Sequence, residues 1–149
     1  MSAMRFLDTN ILIYAVCGAD EDAGKQRRAL NLLTSRDFAL SVQVLQEFYV
    51  QATRASRSGA LTHREAVNFI ESLHRFRVQS ITSDVMRAAF AIRERFGLSY
   101  WDSAILAAAR ACGCDAVYSE DMSSEQDYDG LRVINPFASP MEAEVIPPQ

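Results

Sequence analysis

The chain is poor in the residues that staple, hinge or embed a protein. Only three of its 149 residues are cysteine, six are glycine and four are proline. An odd set of three thiols cannot pair completely within one chain, and Cys112-Gly113-Cys114 has neither a second cysteine pair nor a nearby histidine. A disulfide scaffold and a zinc site are therefore both disfavoured, and reduced, buried thiols are expected. So little glycine and proline excludes collagen-like and linker-dominated chains. No apolar run approaches the roughly 20 residues that span a bilayer. The stretch behind Met1-Ser-Ala-Met-Arg5 is too short for a secretory signal, so a cytosolic location is expected. Three phosphate- and acyl-handling signatures are missing too, G-x-x-x-x-G-K-[ST], G-x-G-x-x-G and G-x-S-x-G. Nucleoside-triphosphate loops, dinucleotide folds and nucleophile elbows go with them.

What is present is an ordinary globular composition, 49% apolar and 23% charged, enough for one hydrophobic core in a single domain. The charge is unevenly spread. Residues 1–114 carry 14 basic and 11 acidic side chains, whereas residues 115–149 carry 1 and 8. All but one of the cations are arginine, the residue suited to bidentate phosphate contact, Lys25 being the exception. Short apolar runs alternate with longer amphipathic ones. Strands are predicted at Arg5–Asp8, Phe38–Ser41, Arg77–Ile81, Ala116–Tyr118 and Leu131–Ile134. Helices are predicted at Asn10–Cys17, Ala23–Ser35, Val42–Ala55, Thr62–Phe76 and Ser83–Phe96, and from Ser99 to Cys112. Thr62-His-Arg-Glu65 and Ser99-Tyr-Trp-Asp102 read as capping boxes, and Gly18, Gly97 and Gly113 as helix stops. Such alternation implies an α/β three-layer sandwich with a short, mainly parallel central sheet flanked by helices. The domain is expected over residues 1–137, with an extended tail over 138–149.

Open parallel sheets bind ligands beyond the carboxyl ends of their strands, where strand order reverses. Four acids fall near such ends. Asp8 closes the first strand, Glu47 lies on the second turn after strand two, Asp102 opens the helix leading into strand four, and Asp121 follows that strand. Sharing one cleft at about 5 Å, each ionised pair would repel by roughly 3 kcal/mol at an effective dielectric near 20. Protons or a cation would have to relieve that repulsion, and an oxygen-only ligand set selects Mg2+ or Mn2+ over zinc. Each acid also has a plain structural reading: Asp8 and Asp102 as helix caps, Asp121 as part of an acid-rich loop with Glu120, Glu125, Asp127 and Asp129. An unpaired buried Glu47 is the hardest to explain structurally.

Phe6-Leu-Asp8-Thr-Asn10, Val44-Leu-Gln-Glu47-Phe48, Leu98-Ser-Tyr-Trp-Asp102-Ser-Ala-Ile and Val117-Tyr-Ser119-Glu-Asp121 resemble, in order and spacing, the four signature segments of PIN-domain nucleases. Chain length and the two-helix segment between strands two and three resemble the VapC-type toxins of bacterial toxin–antitoxin pairs. The resemblance spans residues 4 to about 137. It implies that Asp8, Glu47, Asp102 and Asp121 hold one or two Mg2+ or Mn2+ ions, with Asn10 and Ser119 as polar supports. Because the last acidic segment varies in the family, Glu120, Asp127 or Asp129 could share the role of Asp121. It further implies endoribonuclease activity by metal-activated water, leaving 5′-phosphate ends, a VapB-type antitoxin as partner, and a homodimer.

A receiver-type phospho-acceptor domain is disfavoured, since the only lysine comes early, and a haloacid-dehalogenase-type phosphatase wants Asp-x-Asp where this chain has Asp8-Thr9-Asn10. The runner-up is a catalytically silent PIN-fold interaction module. Arg54, Arg57 and Arg64 are candidate RNA contacts or an ordinary solvated arm. Tyr100 and Trp101 either stack a base or pack. His63 and His74 are expected on the surface. The arm of residues 42–76 offers Phe48, Tyr49, Phe69 and Leu73 as apolar contacts for the antitoxin, or as core.

Overall fold

In the computed structural model, residues 4–18, 20–35, 37–122 and 126–138 are described. The expected tail lies outside them except for Ala138, as does Glu125 of the acid-rich loop. Six strands form one sheet: β1 (Met4–Leu7), β2 (Phe38–Ser41), β3 (Arg77–Gln79), β4 (Cys114–Tyr118), β5 (Asp127–Tyr128) and β6 (Leu131–Ile134). Their order is β3-β2-β1-β4-β6-β5. All pairings are parallel except the last. Six α-helices, α1 (Thr9–Cys17), α2 (Ala23–Leu32), α3 (Val42–Ala52), α4 (His63–Ser72), α5 (Ser83–Phe96) and α6 (Tyr100–Ala111), supply the crossovers. This is the expected three-layer sandwich. Among the described residues no helix is long and apolar enough to cross a membrane.

Buried on both faces, the central strands read as apolar runs rather than alternations. Phe6 and Leu7 of β1 and Ala39 and Leu40 of β2 are inaccessible to solvent, as are Val117 and Tyr118 of β4. Helices α5 and α6 approach closely through alanine, with Ala89 against Ala104 and Ala107. Several ends fall short of the sequence expectation. Helix α2 stops at Leu32, and α3 stops at Ala52, where Thr53 Oγ1 donates back to the Tyr49 carbonyl. Beyond α4 the chain tightens into a 3-10 turn at Leu73–Arg75.

Strand β5 is the element the sequence reading passes over, because its acids read as loop. Asp129 and Gly130 both adopt positive φ, 56° and 93°, and Tyr128 pairs with Leu131. That is a two-residue hairpin turn, for which Asp-Gly is the usual dipeptide. The Thr62–Glu65 capping box forms in full. The Ser99–Asp102 one forms by half: Ser99 Oγ accepts from the Asp102 amide at 3.1 Å, with no bond returned by the Asp102 carboxylate.

Gly97 ends α5 in the left-handed region at φ 70°, its N–H donating to the Arg93 carbonyl at 2.8 Å. This turn aims the chain into α6 and hence sets Asp102. Nothing lies within 4 Å of a β-carbon added there, so Gly97→Ala meets no clash and costs only the left-handed backbone, about 1 kcal/mol. Thermal unfolding should record a drop of roughly 2–4 °C.

Candidate functional site

The strand order reverses between β1 and β4, and the two residues that follow these strands meet there. Asp8 comes directly after β1 and Ser119 directly after β4. The Asp8 amide donates to the Tyr118 carbonyl at 3.0 Å, which extends the sheet by one bond and fixes both chain exits. Ser119 Oγ then donates to Asp8 Oδ2 at 2.7 Å, while Asp8 Oδ1 accepts from the Thr9 amide at 2.7 Å. Asp8 is thus both the N-cap of α1 and a member of the acidic cluster. The capping expectation for Asp8 is met.

The next residues of the same turn reach the other acids. Thr9 Oγ1 donates to Glu47 Oε1 at 2.9 Å, and Gln43, one turn earlier on α3, donates to Glu47 Oε2 at 3.3 Å. Gln43 also donates to the Trp101 carbonyl at 3.4 Å, tying α3 to the first turn of α6, where Asp102 stands. Asn10 Nδ2 donates to Asp121 Oδ2 at 3.0 Å, and Asn10 Oδ1 accepts the Glu120 amide at 3.2 Å. Ser119 Oγ accepts the Asp121 and Met122 amides, closing the β4 turn. Thr9 and Gln43 are site residues that the sequence reading did not single out. Thr9 lies inside the quoted Asp-Thr-Asn, and Gln43 lies four residues before Glu47 on one helix face, which was the signal available.

Asp8, only 7% exposed, has its carboxyl pushed up to about 6. Burial is the main cause, opposed by the Ser119 and Thr9 hydrogen bonds and reinforced by the charges of Glu47 and Asp121. Two of the other expected acids, Glu47 and Asp121, therefore bear on Asp8. Asp102 does not join them directly, its connection running through the Trp101 carbonyl and Gln43. Its charge acts instead on Tyr128, whose pKa is raised by burial first and by Asp102 second. Its carboxylate accepts no hydrogen bond among the described residues. Among those residues no three acidic, histidine or cysteine side chains are gathered in ready ligating geometry, so the single tight cluster pictured from the sequence is looser here.

The alternatives to Asp121 have other partners. Glu120 pairs with Lys25 and accepts from Tyr14 Oη at 2.6 Å. Asp127 accepts from the Gly130 amide at 2.6 Å, and Asp129 pairs with Arg95 at 2.8 Å. Among the arginines, Arg54 lines a hollow of about 340 Å³ with Glu47, Gln46, Val50 and Gln51. Arg57 is turned away, its Nε donating to the Gln51 carbonyl at 2.8 Å at the end of α3. Arg64 is exposed at the start of α4. His63 and His74 are both exposed, as expected, His63 against Tyr49 Oη at 2.8 Å and His74 against Glu71. On the proposed arm, Phe48 and Leu73 are core. Phe69 is half-buried on the Phe48 ring, and half-buried Tyr49 lines a hollow with Val42, Leu45 and Ile70.

The Asp8 shift fixes a pH dependence of the metal-free protein. Between the unfolded value of 3.8 and the folded value of about 6, the native state binds more protons than the unfolded chain. Stability from this group is therefore present below about pH 4 and lost as pH rises to about 6, by about 3 kcal/mol at 1.36 kcal/mol per unit. Denaturant titrations of wild type and Asp8→Asn in EDTA should show this loss in wild type only.

The family and the fold both have counterparts among known proteins. The PIN domain family model matches residues 5–125. No curated protein matches the chain significantly. Solved structures do. A toxin–antitoxin complex from Klebsiella pneumoniae superposes with a TM-score of 0.67 at 23% identity, covering 91% of this chain and 98% of that one. The sarcin–ricin-loop-cleaving toxin VapC20 of Mycobacterium tuberculosis gives 0.63 at 22% identity, with 78% and 89% covered. DNA-bound VapBC from Salmonella typhimurium gives 0.63 at 17% identity, with 89% and 97% covered. At these identities the likeness is one of fold, and the family match extends it to sequence over most of the chain: the protein belongs to the PIN domain family.

Proposed function

We propose that the chain is a divalent-cation-dependent endoribonuclease, the toxin of a toxin–antitoxin pair. The observation that carries the reading is Asp8, a buried carboxylate at the reversal of strand order, flanked by two further acids and held only by uncharged donors. Among the described residues no lysine or arginine contributes to its environment, and the one lysine is paired with Glu120. The donors fit a hard cation, since Asp8, Glu47, Asp102 and Asp121 offer oxygen alone, with no thiol or imidazole beside them. Mg2+ or Mn2+, when bound, supplies a Lewis acid that activates water and offsets charge on the phosphodiester.

The chain's own residues hold and aim. Ser119 and the Thr9 amide fix both oxygens of Asp8. Thr9 and Gln43 orient Glu47, and Asn10 orients Asp121. Asp102, free of any capping bond, is the fourth oxygen donor. Arg54, just beyond the end of α3 and lining the same hollow as Glu47, suits a phosphate of the RNA backbone; Arg64 suits a more distant one, and Arg57, its Nε engaged by the Gln51 carbonyl, is the weakest candidate of the three. A toxin–antitoxin role rests on likeness to the Klebsiella and Salmonella complexes. The hollow of about 440 Å³ between α3 and α4, floored by Leu45, Tyr49 and Ile70, suits an apolar segment of a VapB-type antitoxin. A homodimer and a cytosolic location belong to the same reading.

With Mg2+ or Mn2+ the protein should cut structured RNA at few sites and leave 5′-phosphate ends, as read by end-labelled fragments. Cleavage surviving excess EDTA, or cyclic-phosphate products, refutes the mechanism. Metal at 100 times its dissociation constant should stabilise wild type by about 2.7 kcal/mol, roughly 5–11 °C in melting temperature. Asp8→Asn and Asp121→Asn should lose cleavage and most of that shift. Metal binding without cleavage of any RNA would favour the silent interaction module. Ile70→Asp should weaken copurification with the antitoxin without lowering cleavage, and unchanged copurification would move the docking surface elsewhere.

A further inference from the structure

Beside the acids, on the side away from Arg54, the ends of β2 and β3 and the first turns of α3, α5 and α6 enclose a groove of about 440 Å³, within the range of small-molecule sites. Taking the ribonuclease reading as its basis, we infer that this groove is a nucleobase subsite, which takes an unpaired base of the RNA next to the bond that is cut.

Position, charge and side-chain chemistry point the same way. Gln43 is the shared wall, since its amide donates both to Glu47 and to the Trp101 carbonyl. Gln46 lines this groove and the Glu47–Arg54 hollow alike, so one substrate strand passing over α3 meets both. Among the described residues no charged side chain lines the groove, which makes it a poor seat for phosphate and a suitable one for a neutral heteroaromatic ring. Trp101, 63% exposed, supplies the stacking surface and is braced by the Tyr100 ring at 5.0 Å, which itself packs on Phe90 at 5.6 Å. Ile81 and Met86 line the groove as well and are exposed, too. The Gln46 amide has no hydrogen-bond partner among the described residues. It can present a donor and an acceptor to a base edge, as amides do in unpaired RNA recognition. The Gln79 amide is held by the Ser80 carbonyl and the Cys112 thiol, which keeps the far end of the groove in one shape.

Trp101 is the only tryptophan, so its fluorescence reports the groove without any cleavage. Single-stranded hexamers of A, C or U in Mg2+ buffer should quench it saturably, and a blunt RNA duplex should do so weakly. Trp101→Ala should raise KM for single-stranded cleavage about tenfold to a hundredfold with little change in kcat, the range set by loss of one stacked base. Trp101→Phe should restore most of it, and Gln46→Ala should change the ranking of the three hexamers. Quenching by hexamers without any RNA cleavage supports the subsite and overturns the ribonuclease reading. EDTA-sensitive cleavage with no quenching and an unaltered KM overturns the subsite and leaves that reading standing. A blue shift that grows with protein concentration in the absence of RNA, and a dimer that Trp101→Ala turns into a monomer, assign the face to a second copy and overturn the subsite as well.

Discussion

A carboxylate almost closed off from water, Asp8, is held where the sheet turns from one winding direction to the other, and the arrangement around it follows from that placement. Its amide bonds the last carbonyl of β4, so the first strand cannot end anywhere else without breaking the sheet. Its two oxygens are taken by the Thr9 amide and the Ser119 hydroxyl, which pins the start of α1 to the turn after β4. Thr9 and Asn10, in the first turn of that helix, then reach Glu47 and Asp121. One short segment, Asp8-Thr9-Asn10, thus ties together three acids that are far apart in sequence.

Neutral hydrogen bonds in place of an ion pair have a chemical consequence. A lysine or arginine against Asp8 would lower its pKa and satisfy its charge, leaving little affinity for a cation. Hydroxyl and amide donors orient the carboxylate without discharging it, so burial keeps the pKa raised. The molecule accepts a locally unfavourable group and is stable through its core, a pattern expected where a site binds a charged ligand.

The layered fold was legible because the crossover helices are amphipathic and the central strands are apolar runs, signals that survive without an alignment. The acids at the strand ends were legible by the same logic, as Asp8 and Asp121 flank the reversal of strand order that parallel sheets reserve for ligands. Two features were not. Thr9 and Gln43 are polar residues of ordinary type whose role exists only once α1 and α3 pack side by side. The Ser99–Asp102 pair matched a capping box in sequence, yet only the Ser99 half forms. A motif states which bonds are available locally, and the tertiary position of Asp102 decides that its carboxylate stays open.

The acid-rich stretch from Glu120 to Asp129 shows how geometry separates residues that composition cannot. Read as sequence, Glu120, Asp121, Asp127 and Asp129 are interchangeable. In the fold, Asp127 and Asp129 belong to the β5–β6 hairpin, one bonded to the Gly130 amide that closes the turn, the other paired with Arg95. Glu120 is drawn to the opposite side by Lys25 and Tyr14. That ion pair removes the chain's single lysine from the neighbourhood of Asp8 and removes Glu120 from competition with Asp121. Asp121 alone is left facing Asn10, held by an amide that orients it and leaves its charge intact. Glu120 and Asp129 are thus neutralised by a cation and Asp127 is used up in closing a turn, whereas Asp8, Glu47 and Asp121 are oriented by neutral donors where the strand order reverses. On the proposed function, Asp8, Glu47 and Asp121, oriented but not neutralised, are the carboxylates that would hold a metal.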